Sequence, residues 1–315
     1  MKKTKLLLAL PLIALSLAGC GGKKKVTIGI CQLVQHAALD AATQGFMDAV
    51  KEGMGEENVT FDLQNASGES ALCTTIANSF VSKGVDLIMA NATPALQAAY
   101  NTTTTIPILG TSITEYGTAL HLENFNGTVG DNVSGTSDLA PLDEQAQMVK
   151  DVFPTAEKVG LLYCSAEANS LYQINVVEHE LQSKGLTTER ISFADSNELS
   201  TVLSAKAGSL DVLYIPTDNT CAACTETINS ICSTNNLPVV CGEEGLCKGC
   251  GVVTLSISYY NLGVKTGKMA AEILRDGKDI SKMPIAYDEN PVKKYNPTIC
   301  EQLGMNPPEG YAPIA

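Results

Sequence analysis

The chain has 315 residues, of which 44% are hydrophobic and 17% charged, and its 21 lysines and arginines stand against 34 acids for a formal charge of -13. That hydrophobic content, with no low-complexity tract, excludes a disordered chain. The acidic balance, with no basic patch interleaved with aromatics to offset it, excludes nucleic acid as a partner.

The N-terminus reads as a leader. Lys2, Lys3 and Lys5 precede an apolar run at residues 6–17, and Leu17-Ala-Gly-Cys20 closes it with small residues. A basic start, a short apolar middle and a small-residue cleavage site make a secretory signal, expected over residues 1–19. The run is well short of the ~20 apolar residues that a bilayer span needs. Residues 20–25 follow as a tether, two glycines and then three lysines, suited equally to a solvated linker and to contact with anionic headgroups. What remains is long enough for two domains with sizeable cores.

From residue 26 the chain alternates strands and helices, and it does so twice. Val26-Thr-Ile-Gly-Ile opens the first copy, with a polar loop and a helix after it; Val85-Asp-Leu-Ile-Met-Ala is the next apolar run, followed by a polar loop, a helix and a further strand from Pro107. The second copy opens at Lys158-Val-Gly-Leu-Leu-Tyr and continues through Asp211-Val-Leu-Tyr-Ile to Leu237-Pro-Val-Val-Cys. Two similar halves predict an α/β fold of two doubly wound parallel-sheet lobes. Lobe 1 is expected over residues 26–136 plus about 256–282, and lobe 2 over 137–255. Gly135 to Pro141 and the alternating run from Val252 to Ser258 are the expected first and second crossings between the lobes. Residues 283–315 are expected to make a third crossing and then wrap the surface. Several crossings between two lobes form a hinge.

In open parallel sheets, ligands sit beyond the carboxyl ends of the strands, next to helix N-termini that favour anions. Both halves therefore present polar loops to one cleft. A free amino acid needs a carboxylate site and an ammonium site. Thr93, Thr111, Ser112 and Ser137 are candidates for the first; Asp138, Asp218, Glu243 and Glu244 are candidates for the second. Thr93 and Asp218 also stand where helix N-caps stand, and Asn169 and Ser170 divide between ligand contact and cap. His36, one of three histidines, opens a helix beside Gln32 and has no second histidine at metal-ligand spacing. The absence of tryptophan argues against a sugar site, because sugars are commonly stacked on flat aromatic side chains.

Eleven cysteines are present, including the pairs Cys221/Cys224 and Cys247/Cys250. The gap between the pairs is slightly longer than the roughly fifteen to twenty residues of a zinc site, and neither pair follows the first strand of a thioredoxin-like unit. No metal and no cofactor are expected, and disulfides within or between the pairs are left open. Walker, Gly-x-Ser-x-Gly, His-Glu-x-x-His and Gly-x-Gly-x-x-Gly signatures are missing, so no catalytic residue is expected.

The lipobox Leu17-Ala-Gly-Cys20, Gln32-x-x-x-His36-x-x-Leu-Asp40, Asn91-Ala-Thr-Pro-Ala, Gly135-Thr-Ser-Asp-Leu, Ser165-Ala-Glu-Ala-Asn-Ser170, Pro216-Thr-Asp-Asn219 and Gly242-Glu-Glu-Gly245 occur in this order. Together they resemble the ABC-transporter substrate-binding lipoproteins whose characterised members bind aromatic amino acids, tryptophan especially. Gln35 and Ala37 depart from that pattern, standing where it carries Glu and Pro. The resemblance implies a type I periplasmic-binding-protein fold, lipid attachment at Cys20 on the outer face of a bacterial membrane, and an ABC permease as partner. Its implied ligand is a small molecule, an aromatic or large apolar L-amino acid. It adds Gln32, His36 and Asn219 to the candidate contacts. The alternatives are a sugar or nucleoside in the same fold, a surface sensor, and a thiol or metal enzyme using the Cys-x-x-Cys pairs.

Overall fold

In the computed structural model the described residues are 25–288 and 290–314. The expected signal peptide and Cys20 lie outside them. The first lobe runs β1 (Val26–Gln32), α1 (Ala37–Met54), β2 (Val59–Asn65), α2 (Ser70–Lys83), β3 (Leu87–Asn91), α3 (Thr93–Thr102), β4 (Ile108–Ile113), α4 (Tyr116–Leu120) and β5 (Val133–Ser137). The chain then crosses to α5 (Leu142–Val152), β6 (Lys158–Cys164), α6 (Ala168–Ser183), β7 (Thr187–Phe193), α7 (Ser196–Ser204), β8 (Val212–Ile215), α8 (Asn219–Ala223), α9 (Thr225–Thr234), β9 (Val239–Cys241), α10 (Glu244–Cys250) and β10 (Val253–Ser256). It returns with α11 (Tyr259–Leu274) and β11 (Ala286–Tyr287), and crosses a third time to β12 (Val292–Tyr295), α12 (Pro297–Gln302) and β13 (Ala312–Pro313).

The repeat seen in the sequence is a repeat of topology. The first sheet has the order β2-β1-β3-β4-β5-β11, all parallel; the second has β7-β6-β8-β9-β10-β12-β13, parallel except where β12 runs against β10. Taken from its own first strand, each half follows the same 2-1-3-4-5 order, so each reverses winding beside its first strand. β3, β4 and β5 are buried along their whole length because helices cover both faces of a parallel sheet. The C-terminal segment does more than wrap the surface: β12 and β13 extend the second sheet at its edge.

α11 returns to the first lobe and packs along α1. Gly263 makes this closeness possible, since a Cβ there would collide with the Ala42 carbonyl oxygen of α1. Behind this helix pair, Phe46, Val50, Leu87, Met89 and Met269 form one core of the lobe. In the second lobe, Leu162, Phe193, Ile215 and Ile228 enclose a core that also takes Cys164, Cys221, Cys232, Cys241, Cys247 and Cys250.

Candidate ligand-binding site

A cavity lies between the lobes, lined by His36, Leu39, Ser112, Thr114, Asp138, Asn169, Thr217, Asp218, Asn219, Ala222, Glu243 and Tyr259. Its walls come from loops beyond β1, β4, β5, β6, β8, β9 and β10, the carboxyl ends of parallel strands in both sheets. The lobes stand close. His36 Nε2 is 3.3 Å from Asn219 Oδ1, and the hydroxyls of Thr114 and Thr217 are 3.4 Å apart across the gap. The space between them is about 10 Å³, roughly the room one water molecule needs.

The lobe 2 wall is built from helix N-caps. Asp218 caps α8: its Oδ1 accepts from Cys221 N at 2.8 Å and its Oδ2 from Cys164 N at 2.7 Å. Glu243 caps α10, accepting from Gly245 N at 2.5 Å and from Leu246 N. Glu167 stands behind Asp218 and takes the backbone and side-chain donors of Asn219 and Thr220. Burial pushes Asp218 up to about 7, with Glu167 adding to the effect, and burial likewise pushes Glu243 up to about 7. Asn169 gives its amide hydrogens to Glu167 Oε2 and the Thr217 carbonyl, and its Oδ1 is buried without a partner.

The lobe 1 wall is built from strained turns. Ala92 has φ 91° and ψ 155°, a region that suits glycine, and the irregular end of the neighbouring strand β4 puts Ser112 at φ 56°. Ser112 Oγ is buried with no partner, and so is Thr93 Oγ1 at the first turn of α3. Asp138 follows β5 on the first crossing; its Oδ2 accepts from Tyr259 Oη at 2.8 Å and its Oδ1 has no partner. Burial raises the Asp138 carboxyl, with the Tyr259 hydroxyl opposing, whereas burial lowers the His36 imidazole.

The cavity thus brings together His36, Ser112, Asp138, Asn169, Asp218, Asn219 and Glu243. The other candidates do not line it. Gln32 accepts from Thr43 Oγ1 and donates to Asp40 Oδ1 and the Val34 carbonyl, which fixes the start of α1. Thr111 joins Thr136 and Thr266 in a buried hydroxyl chain under the sheet. Ser137 ties the crossing to the Thr114 carbonyl. Ser170 supports Asp218 from behind the wall. Glu244 pairs with Lys294 at 2.5 Å beside a separate hinge-side pocket. Thr93 is not the cap of α3, a position that Ala92 occupies. Sequence reasoning did not single out Leu39, Thr114, Thr217, Ala222 and Tyr259 as contacts; of these, Leu39 and Thr217 lie inside motifs already noted, and Tyr259 directly follows the second crossing.

The cysteine pairs take no part in the cavity wall. Among the described residues ten cysteines are free thiols, all buried except the half-buried Cys224, and no group of side chains is arranged to hold a metal ion. No helix among those residues is long and apolar enough to cross a membrane.

The family described as ABC transporter substrate binding protein matches residues 27–312. A tyrosine-binding protein of Clostridioides difficile strain R20291 is 36% identical over 268 residues, 84% of this chain and 76% of that one. Among solved structures, the ABC domain from Streptococcus pneumoniae in complex with L-Trp has a TM-score of 0.88 at 28% identity, covering 93% of this chain and 100% of that one. The ligand-free, open structure of a substrate-binding protein with adhesive properties from Clostridium difficile is 35% identical over 92% of this chain and 99% of that one, yet its TM-score is 0.69. The more similar sequence is the less similar structure, as happens when rigid lobes turn about a hinge and lower a whole-chain superposition. These relatives are solute-capturing proteins rather than enzymes, and the family works outside the cytoplasm. The chain belongs to the substrate-binding proteins of ABC transporters and has the type I periplasmic-binding-protein fold.

Proposed function

We propose that the chain captures an aromatic or large apolar L-amino acid between its lobes and hands it to a membrane permease, tethered by lipid on Cys20. One observation carries the ligand class. Three buried polar atoms without protein partners, Ser112 Oγ, Asp138 Oδ1 and Asn169 Oδ1, belong to residues lining the same interlobe cavity. One hydroxyl donor and two acceptors complement a carboxylate and an ammonium. In this reading the lobes stand further apart about the ligand than in this structure, where the cavity has room for about one water; Asp138 and Asn169 hold the ammonium, Ser112 meets the carboxylate, and Leu39, His36, Ala222 and Tyr259 enclose the side chain. The names of the similar proteins, tyrosine-binding in one and L-Trp-bound in another, favour the aromatic members of the class.

Thermal unfolding with each of the twenty amino acids tests the assignment. Ligand at one hundred times its dissociation constant stabilises by about 2.7 kcal/mol, a plainly visible shift. L-Tyrosine or L-tryptophan should give it. If all twenty fail while a sugar or nucleoside succeeds, the ligand class is wrong. Cys20→Ala should release the mature protein from the membrane fraction.

A further inference from the structure

Three carboxylates, those of Asp138, Asp218 and Glu243, line a cavity with room for about one water molecule, and among the described residues no lysine or arginine lines it with them. All three are at least 96% buried, at 4%, 1% and 3% exposure. Glu167, 5% exposed, adds a fourth acid directly behind. An amino acid brings one ammonium. The unpartnered Asp138 Oδ1 is positioned to receive it, because the oxygens of Asp218 and Glu243 are already held by backbone N–H groups. One cation cannot compensate three buried anions, and a buried carboxylate without a counter-charge neutralises by taking a proton.

We infer that closing the lobes takes up protons on Asp218 and Glu243, so that ligand capture is proton-linked and weakens as pH rises from mildly acidic to mildly alkaline. The amino-acid ligand rests on the reading above; the proton uptake on closure does not. The protons come from solvent, and the only bonds formed are carboxyl O–H bonds.

The other charged and titratable groups around the cavity fit this sign. Glu167 from the start of α6 and Glu244 on α10 repel Asp218 and Glu243 respectively, which favours their protonated forms. Tyr259 donates to Asp138, Tyr116 lies behind it, and both hydroxyls are held neutral by burial. The thiols of Cys164 and Cys221 beside Asp218 are likewise pushed up by burial. Lys294 and Lys248 line the hinge-side pocket, where Lys294 pairs with Glu244. His36 acts in the opposite direction: closure prefers it neutral, so its contribution is lost as pH falls below the ordinary imidazole range. The carboxylates therefore control the range above about pH 6.5.

The sign follows from linkage. A carboxylate near 7 in the closed state and lower once the lobes part and water reaches it favours closure at acid pH, and that advantage disappears as pH rises through 7. Between pH 6 and 8 each such group changes the closed-to-open ratio by up to about tenfold.

The test is calorimetry of L-tyrosine and L-tryptophan binding at pH 6, 7 and 8 in buffers of different ionisation enthalpy. Net proton uptake is expected, with affinity falling about tenfold or more between pH 6 and 8. Glu243→Gln, neutral at every pH, should shrink both the uptake and the pH dependence, and Asp218→Asn should do the same should the first variant fold poorly. A flat affinity with no proton exchange, or net release, overturns the inference while leaving the ligand reading intact. If neither amino acid binds, the ligand reading falls, and the same calorimetry with the sugar or nucleoside that raises the melting temperature decides: net proton uptake on binding supports proton-linked closure, and none overturns it.

Discussion

Asp138→Asn separates ligand recognition from fold support. The carboxylate is 4% exposed, accepts the Tyr259 hydroxyl at 2.8 Å through Oδ2, and keeps Oδ1 without a partner. Asn can keep the Tyr259 bond through its carbonyl oxygen, but it places an NH₂ where the ligand ammonium should find an acceptor. Removing one partner of a buried, hydrogen-bonded charge pair costs ~2–5 kcal/mol. At ~1.4 kcal/mol per decade that is a loss of affinity between about 30-fold and several thousandfold. The fold should not suffer. Burial raises the Asp138 carboxyl, so its ionised form is a cost to the empty protein, absent at acid pH and present once pH exceeds its raised value. The melting temperature of ligand-free Asp138→Asn at pH 7 should therefore equal or exceed that of the parent, and the difference should vanish toward pH 4. Calorimetry with L-tyrosine and differential scanning of both proteins make the test. An affinity within threefold of the parent would falsify the assignment of Asp138 to the ammonium.

Serine at Cys221, Cys224, Cys247 and Cys250 together should leave ligand affinity within a few-fold, because none of the four lines the cavity, but it should lower the melting temperature. Three of them are fully buried in an apolar core, where an unpaired hydroxyl costs ~1–3 kcal/mol; an unchanged melting temperature would contradict that burial. Gly263→Ala should push α11 away from the Ala42 carbonyl of α1 and cost ~1–3 kcal/mol, read as a lower urea midpoint with an unchanged denaturant slope. A midpoint equal to the parent's would mean that the helix pair yields without strain.

The repeat was legible because strand, loop and helix recur with similar apolar runs in both halves, and two copies of one unit imply two lobes. The edge strands β12 and β13 were not legible: they are short, lie among prolines and carry no periodic apolar face. At the site the sequence pointed to the right loops and could not choose between neighbours. Thr111 and Ser112 are adjacent hydroxyl residues, yet successive side chains on a strand point to opposite faces, and a register shift between Gly110 and Ile113 decides which of them meets the cleft. Ser137 and Asp138 divide in the same way, the first turning back to the Thr114 carbonyl and the second reaching the cavity. Gln32 stood in a family motif, but its role is to hold Thr43, Asp40 and the turn at Val34. Glu167 was hidden in another, because an acid at a helix start reads as that helix's own cap. Here it makes no cap bond to α6 and instead receives the first amides of α8.

The two walls of the cleft divide the work of closure unequally. Lobe 2 is preorganised: Asp218 and Glu243 are locked as helix caps, and Gln173 binds the backbone N–H and hydroxyl of Thr217 at 3.1 and 2.6 Å. Lobe 1 carries strain, at Ala92 and Ser112, of the order of 1–3 kcal/mol per residue. Between them, Ser112 Oγ, Asp138 Oδ1 and Asn169 Oδ1 lose access to bulk water on closing and gain no protein partner. Each such loss costs ~1–3 kcal/mol, so closing over no ligand is opposed by several kcal/mol. A ligand that satisfies all three groups returns that amount. Moving a two-state equilibrium from 1:99 to 99:1 takes about 5.5 kcal/mol, the same magnitude, so the contacts that recognise the ligand are sufficient to drive the hinge. A solute that meets only one wall leaves the other wall's groups unpaired and gains little from closure. Discrimination by the cleft therefore depends on reaching Ser112 and Asp138 on one side and Asn169 on the other in a single pose.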